Sequence, residues 1–299
     1  MPKRFNPALQ QLGYSKTDRV VIFHADDLGM CESTLGAYTD LLEVGLLSSA
    51  SIMMPCAWAP AAAELVRQHP QADIGVHLTL TSEWDTYRWG PLGSRDPANG
   101  LTDQQGYFHS SVAALHAHAD AGAVMQELGL QLERAQAWGL NLSHIDAHMG
   151  AVAHPKYLPG SIELAARAGV VTMFPRMDVG AWRAQGFDLT GALAAAAFGT
   201  YLETRGLPLV DHLVSLPHDV GGDHAALTRQ MLAELPPGLT HFILHPAKDT
   251  PELRAITSGW AGRVANYEAF CNRALLDDVR RSGVQVISYR DLQTLLPRS

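Results

Sequence analysis

Residues 20–30 read VVIFHADDLGM, and no other segment says as much about the architecture of the chain. The apolar run VVIF predicts a buried strand that ends at His24, Asp26 and Asp27. Two neighbouring carboxylates at the C-terminal end of a buried parallel strand lie where α/β proteins place their chemistry. A solvated turn or a helix cap would give the same pair, but the buried run before it favours a site in which one carboxylate binds metal and the other acts as a base.

Two further strands are predicted to end in the same kind of side chain. The segment DIGVHLTL, residues 73–80, carries His77, although a histidine in an apolar strand is often only a core residue. The segment LSHIDAHMG, residues 142–150, alternates polar and apolar positions, which predicts that its polar members point to one side. These members are His144, Asp146 and His148. One carboxylate and two histidines from three strand ends form the ligand set of a hydrolytic metal site.

A fourth strand end lies in HFILHPAKD, residues 241–249, where Pro246 stops the predicted strand immediately after His245. A histidine at this edge that is not needed for metal binding is a candidate general acid. Arg263, in AGRVANYE, follows this block. It is a candidate for binding a substrate oxygen or a ligand carboxylate, and the alternative is an ordinary arginine on a helix surface.

A short apolar strand followed by a helical stretch recurs along the chain. Strands are predicted near residues 20–24, 48–53, 73–79, 142–147, 170–174, 212–216, 241–245 and 284–288. Helices are predicted at 33–44, 58–69, 121–138, 156–168, 189–204, 223–235 and 263–282. This alternation indicates a parallel sheet covered on both faces. It favours an irregular (β/α) barrel similar to a TIM barrel over an open doubly wound sheet, with residues 1–299 forming a single catalytic domain.

Residues 81–120 interrupt this alternation with a long loop rich in glycine, proline and aromatic residues. Connections of this length are typical of active-site loops or linkers, and in a barrel this one would emerge on the catalytic face. Trp84 is its candidate for stacking on a sugar. Alternatively, the aromatic side chains anchor the loop to the body of the protein.

Composition excludes some classes of partner. The formal net charge of −8 and the scattered positive residues argue against nucleic-acid binding. Three cysteines without CxxC spacing make a disulfide framework improbable and fit a reducing compartment. The polar N-terminus predicts no secretory signal, and no apolar run reaches the ~18 residues of a membrane span. We therefore expect a cytoplasmic protein without a membrane partner.

The four blocks together resemble the YdjC-like carbohydrate deacetylases, a family that includes the chitooligosaccharide deacetylases. HADDLGM is similar to the family's NADDFG block, GVHLTLT to its GxHLxLT block, HIDAH to its HxDxH block and HPA to its late HPA block. The blocks occur in the family's order and span about residues 20–249, so the resemblance covers most of the chain.

The resemblance implies a divalent metal held by Asp27, His77 and His148, with Asp26 as catalytic base and His245 as acid. Zn²⁺ suits this ligand set best, and Mg²⁺, Mn²⁺ and Co²⁺ are alternatives. His144, Asp146, Arg263 and Trp84 are then candidates for substrate contact. A homodimer is also consistent with the resemblance.

The expected function is a metal-dependent hydrolase that removes acetyl groups from an N-acetylated sugar or oligosaccharide and releases acetate. The family's chitooligosaccharide enzymes continue the HxDxH block as HHVH, whereas this chain continues HMGAVAHP, which makes chitooligosaccharides doubtful as the substrate. The alternatives are a metal-dependent amidohydrolase or O-acetyl esterase on another substrate, and a sugar- or metal-binding protein without catalysis. Phosphoryl transfer is disfavoured because the chain has no P-loop sequence.

Overall fold

The computed structural model describes residues 4–297. Eight strands follow one another along the chain, and each coincides with a predicted strand. They are β1 (Arg19–Leu28), β2 (Ser49–Ile52), β3 (Ile74–Leu78), β4 (Leu142–Ala147), β5 (Val171–Thr172), β6 (His212–Ser215), β7 (Gly238–Leu244) and β8 (Gln285–Val286). The apolar runs that predicted them are therefore the strands of one sheet.

The strands form a curled parallel sheet in the order β5-β4-β3-β2-β1-β7-β6. The strand β8 pairs with the first half of β1, while β2 pairs with its second half. The two edges of the sheet meet through one parallel bridge between Pro175 and Val210. Seven strands therefore form an incomplete barrel, and β8 is added beside β1 outside this order. This arrangement confirms the prediction of an irregular barrel rather than an open doubly wound sheet.

Thirteen α-helices surround the sheet within the described part of the chain. They are α1 (Pro7–Gln11), α2 (Glu32–Val44), α3 (Ala59–Gln68), α4 (Val112–His118), α5 (Ala121–Ala137), α6 (Leu158–Ala168), α7 (Val179–Ala184), α8 (Leu189–Thr204), α9 (His224–Glu234), α10 (Pro251–Ile256), α11 (Trp260–Cys271), α12 (Arg273–Arg281) and α13 (Tyr289–Gln293). The sequence predicted seven helices and missed α1, α4, α7, α10 and α13, each of which has seven residues or fewer.

The single helix predicted over 263–282 is wrong. Asn272 adopts an extended conformation (φ −78°, ψ 109°) and separates α11 from α12. Its side-chain oxygen accepts a hydrogen bond from the backbone nitrogen of Ala274 and so caps the second helix. Asparagine is a strong N-cap residue, and the continuous apolar periodicity of this region conceals the break.

The inner face of β1 changes from apolar to charged along the strand. Val20 and Ile22 belong to an apolar cluster at one end of the barrel, whereas His24 and Asp26 follow at the same two-residue spacing. His24 is fully buried among polar side chains that lie between the apolar end and the carboxyl ends of the strands. We call these residues the buried polar cluster: His24, Ser49, Ser51, Asp73, His144, Asp146, His241 and Tyr289.

The 81–120 segment contains α4 at its end and one antiparallel bridge, between Thr102 and Phe108. Trp89 and Phe108 are buried, and the indole nitrogen of Trp89 donates a hydrogen bond to the carbonyl oxygen of Thr81. These two aromatic side chains anchor the loop to the body of the protein. Across residues 4–297, the structure contains no helix with the length and apolar character needed to cross a membrane.

Candidate metal centre

Asp26 and Asp27 both face one pocket because β1 is irregular where they lie. The pairing of β1 with β2 shifts its register between Ala25 and Leu28. Asp27 has a φ of 63°, in the left-handed region that a residue other than glycine seldom adopts. Bulges of this kind are common beside active sites, since they redirect a side chain. Here the local distortion brings two adjacent carboxylates to the same side of the strand end.

Asp27, His77 and His148 converge from the ends of three strands. Asp27 Oδ1 lies 3.5 Å from His77 Nε2 and 3.2 Å from His148 Nδ1. This oxygen is buried and finds no hydrogen-bond donor of good geometry among residues 4–297. Tetrahedral zinc with bonds of about 2.0–2.2 Å separates its ligand atoms by about 3.2–3.6 Å. The donor set and its spacing therefore fit a divalent cation.

Each of the two histidines contacts a carboxylate through its other ring nitrogen. His77 Nδ1 lies 2.9 Å from Asp146 Oδ1, and His148 Nε2 lies 3.0 Å from Glu83 Oε2. Burial lowers the pKa of His148, but the Glu83 and Asp27 carboxylates outweigh burial and raise this pKa to about 9. Pairing with a carboxylate is typical of metal-binding histidines, because it fixes the ring and increases its basicity.

Arg263 is buried beside the centre and forms an ion pair with Asp27, at 2.8 Å between Nη1 and Oδ2. Burial alone would raise the pKa of Asp27, but Arg263, His148 and His77 hold this pKa well below its usual range. The interpretation of Arg263 as a surface arginine is wrong, since only 4% of the residue is exposed. Its guanidinium also lies 5.7 Å from the ring centre of half-buried Trp84, which places Trp84 at the rim of the centre.

Asp26 lies between His24 and His245 and close to Asp146, since both carboxylates contact His24 Nε2. Asp26 Oδ2 is 3.6 Å from His245 Nε2. The backbone nitrogen of His245 donates to Asn266 Oδ1, and its ring packs against that of His218 at 4.3 Å between centres. Burial lowers the pKa of His245 well below its ordinary value, and Arg263 adds to this effect. His245 is therefore neutral near pH 7.

His144 and Asp146 lie beneath the metal centre, in the buried polar cluster. His144 is fully buried, stacks on Tyr289 at 4.0 Å and hydrogen-bonds Ser143. The Asp146 carboxylate lies 2.9 Å from His24 Nε2 with one oxygen and contacts His77 with the other. His144 is shielded from solvent, whereas Asp146 also borders a cavity beside the centre, and contact of either with substrate stays a prediction.

Sequence reasoning missed several residues of the centre. Glu83 lies in the aromatic loop, His218 follows β6, and Asn266 is on α11, so none of them shares a motif with the ligands. Glu83 had one available signal: it follows the GVHLTLT block by only a few residues. A residue so close to a ligand-bearing strand end can fold back onto the same edge of the sheet.

Comparisons with known proteins agree with this architecture. The sequence profile described as YdjC-like protein matches residues 20–281. A protein of Thermus thermophilus named carbohydrate deacetylase is 35% identical over 87% of this chain and 89% of its own length. A Thermoanaerobacter pseudethanolicus protein of the same name is 25% identical over 92% of this chain and 100% of its own length.

A solved structure supports the fold. It is a crystal structure from Enterococcus faecalis V583, described as a candidate cellobiose-phosphate cleavage protein, and its TM-score is 0.73. The two proteins are 18% identical, over 92% of this chain and 99% of the other. At this identity the similarity concerns the fold alone.

Proposed function

This chain belongs to the YdjC-like protein family, and on that premise we propose that it is a metal-dependent hydrolase removing the acetyl group from an N-acetylated sugar. The names of the two similar proteins support the substrate class. The observation that carries the proposal is the approach of the His77 and His148 ring nitrogens to Asp27 Oδ1, with the Asp26 carboxylate next to it in the chain. A protein that only bound the metal or the sugar would not need a second carboxylate positioned as a base.

Asp27, His77 and His148 would hold the ion. A divalent cation bound there would supply Lewis-acid chemistry, polarising the acetyl carbonyl and making a water molecule more acidic. Arg263 orients Asp27 by holding its Oδ2, which leaves Oδ1 directed at the two imidazoles. Asp146 and Glu83 fix the rings of His77 and His148 in the orientation that presents the other nitrogen.

Asp26 is the proposed base that removes a proton from the attacking water. Its Oδ1 lies 3.1 Å from His24 Nε2, and its Oδ2 faces His245. Burial alone would lower the pKa of His24, but Asp146 and Asp26 outweigh burial and raise it to about 9. His24 is therefore a buried cation at neutral pH, and its contact with Oδ1 orients the Asp26 carboxylate before the reaction.

His245 is the proposed acid that protonates the leaving amine. An amine cannot leave an amide as an anion, so its nitrogen must gain a proton before the C–N bond breaks. Since His245 is neutral near pH 7, it does not bring this proton from solvent. The 3.6 Å between Asp26 Oδ2 and His245 Nε2 suits a route in which the proton taken from water passes to His245 and then to the amine.

The products would be acetate and an amino sugar, with Trp84 at the rim contacting a sugar ring. The candidates for the native metal are Zn²⁺, Mg²⁺, Mn²⁺ and Co²⁺, and restoring each one to the chelated protein distinguishes them. His144 and Asp146 support the centre from below, and Asp146 does so through its contact with His77.

The test is acetate release from a panel of N-acetylated and O-acetylated sugars. Chelated protein is assayed alone and after each of the four metals is restored. Metal-dependent release that is lost in Asp27→Ala and His148→Ala is the expected result. Binding of the metal without release from any N-acetylated sugar would overturn the proposal, and release only from O-acetylated sugars would replace it with an O-acetyl esterase.

A further inference from the structure

A cavity of about 430 Å³ lies beside the metal centre, at the carboxyl ends of β4 and β5. The helix α7 and the segment that follows it cover one side of the cavity through Trp182 and Phe187. Met149, Met173, Phe174 and Met177 form much of the remaining wall. The volume falls within the usual range for small-molecule sites, about 300–1,000 Å³.

Three polar side chains of this wall are already paired, whereas the buried indole nitrogen of Trp182 has no hydrogen-bond partner among residues 4–297. The Asp146 carboxylate contacts His24 and His77, and Ser161 Oγ donates to the carbonyl oxygen of Leu158. The Nε2 atom of His116 hydrogen-bonds the carbonyl oxygen of Ala151. A sugar ring needs partners for its hydroxyl groups, and leaving them unpaired in an apolar cavity is costly. The mainly apolar side chains of the wall therefore suit a hydrocarbon group better than a whole sugar ring.

The cavity adjoins the reacting centre through several neighbours of the metal ligands. Leu78 follows His77, and Ala147 and Met149 lie on either side of His148, and all three line the cavity. Asp146, whose carboxylate contacts His77, lines it as well, so a group bound in the cavity lies next to the centre. An acetyl methyl group alone is far too small to fill this volume.

We propose that this cavity binds an apolar group of the substrate, carried by the sugar either as an N-acyl chain longer than acetyl or as an apolar aglycone. The inference rests on the proposed function, because it extends the substrate of the same centre. In the first case hydrolysis adds water across the C–N bond and releases a longer carboxylate and the amino sugar. Methionine side chains suit this role, since they adapt their shape to different hydrocarbon groups.

Two substrate series distinguish the two sources of the apolar group. In one, glucosamine carries N-acetyl, N-butanoyl, N-hexanoyl or N-octanoyl groups. In the other, N-acetylglucosamine carries a methyl, butyl or hexyl group at its anomeric oxygen. Burying one methylene favours binding enough to raise kcat/KM about fourfold per methylene in whichever series fills the cavity. The other series is expected to show no such increase.

Met173→Gln places a polar amide in the wall at nearly constant volume and should abolish the chain-length dependence. Met231→Gln is the matched control, because Met231 is also half-buried but lies on α9, away from the cavity. Calorimetric binding of hexyl β-glucoside to the chelated protein gives a readout that needs no turnover. It should be at least fivefold weaker in Met173→Gln than in Met231→Gln.

The outcomes separate this inference from the proposed function. Acetate release with no chain-length dependence in either series overturns the inference and leaves the function standing. If neither series is hydrolysed, the proposed function is overturned. If Met173→Gln still weakens the binding of hexyl glucoside, an apolar ligand in the cavity is supported all the same. A second copy of the chain could instead occupy the cavity, and light scattering during the binding measurement detects such a dimer. A dimer that dissociates when hexyl glucoside is added would also overturn the inference.

Discussion

Arg263 and Asp27 are 236 residues apart in sequence, yet Nη1 of the one lies 2.8 Å from Oδ2 of the other, and both are buried. The pair divides the two oxygens of Asp27 between two tasks. One oxygen neutralises the guanidinium, and the other faces the two imidazoles without a hydrogen bond of good geometry from any residue between 4 and 297. The ion pair therefore supports the fold and leaves a charged ligand atom available.

Replacing Arg263 by glutamine should destabilise the metal-free protein by about 3 kcal/mol or more, because it leaves the Asp27 charge buried without a partner. Bound metal then supplies the missing positive charge, so the stability gained on adding metal should exceed the wild-type gain. Urea unfolding with and without Zn²⁺ measures both quantities. Arg254→Gln, which breaks the exposed pair with Asp249, is the control and should destabilise the protein far less, because solvent screens this pair. Equal effects in the two variants would contradict the prediction.

Glu83→Gln should weaken metal binding by about 10–100-fold, because His148 loses the carboxylate that fixes its ring. Competition with a chromogenic chelator measures the dissociation constant directly. Glu64→Gln, an exposed change on α3, should leave this constant unchanged. If Glu83→Gln binds metal as tightly as the wild type, the contact between Glu83 and His148 does not contribute to the site.

His245→Ala should reduce kcat on an N-acetylated sugar by about 10²–10⁴-fold, the usual contribution of a general acid. Its effect on an O-acetylated sugar should be much smaller, because an alkoxide leaves more readily than an amide nitrogen. Measuring kcat on both substrates with the same enzyme preparation tests this difference. The exposed His118→Ala serves as control. A loss of the same size on both substrates would show that His245 does not act on the leaving group.

The buried charge of His24 should make the stability of the metal-free protein depend on pH. Its pKa is about 9 in the folded state against about 6.5 when unfolded, so its contribution is complete below pH 6.5 and lost as pH rises through 9. Between these values the free energy of unfolding should fall by about 1.4 kcal/mol per pH unit from this group. Urea midpoints for wild type and His24→Asn should diverge most at pH 6 and approach each other near pH 10. Parallel pH profiles would exclude a protonated His24.

The strands of this fold could be predicted because their apolar runs are bounded by charged or glycine-containing turns, as at VVIFHADD. The helix break at Asn272 could not be predicted, because the apolar spacing continues through it. Only the cap geometry of Asn272 separates α11 from α12. Helices such as α7 and α10 are too short to establish a periodicity. Their positions depend on tertiary packing rather than on local pattern.

The candidate site was predictable where a side chain lies at the C-terminal end of a strand or just after it, as with Asp27, His77 and His245. The strand pattern of HIDAH correctly placed His144 and Asp146 on one side, but it carries no information about depth along the barrel. That depth puts His144 among polar side chains far from solvent. The partners Glu83 and Arg263 come from a loop and a helix, where the position of a side chain depends on long-range contacts.

The bridge between Pro175 and Val210 has a consequence for motion. Other neighbouring strands share ladders, whereas these edges are held by the hydrogen bonds of Val210 with Phe174 and Arg176. Local opening of the barrel should cost the least free energy at this seam, because few hydrogen bonds hold it. Phe174 and Pro175, on one side of the seam, also line the apolar cavity. The barrel can thus open beside the cavity, next to β4, while β1 and β3, which lie farther from the seam, keep the register of their ladders.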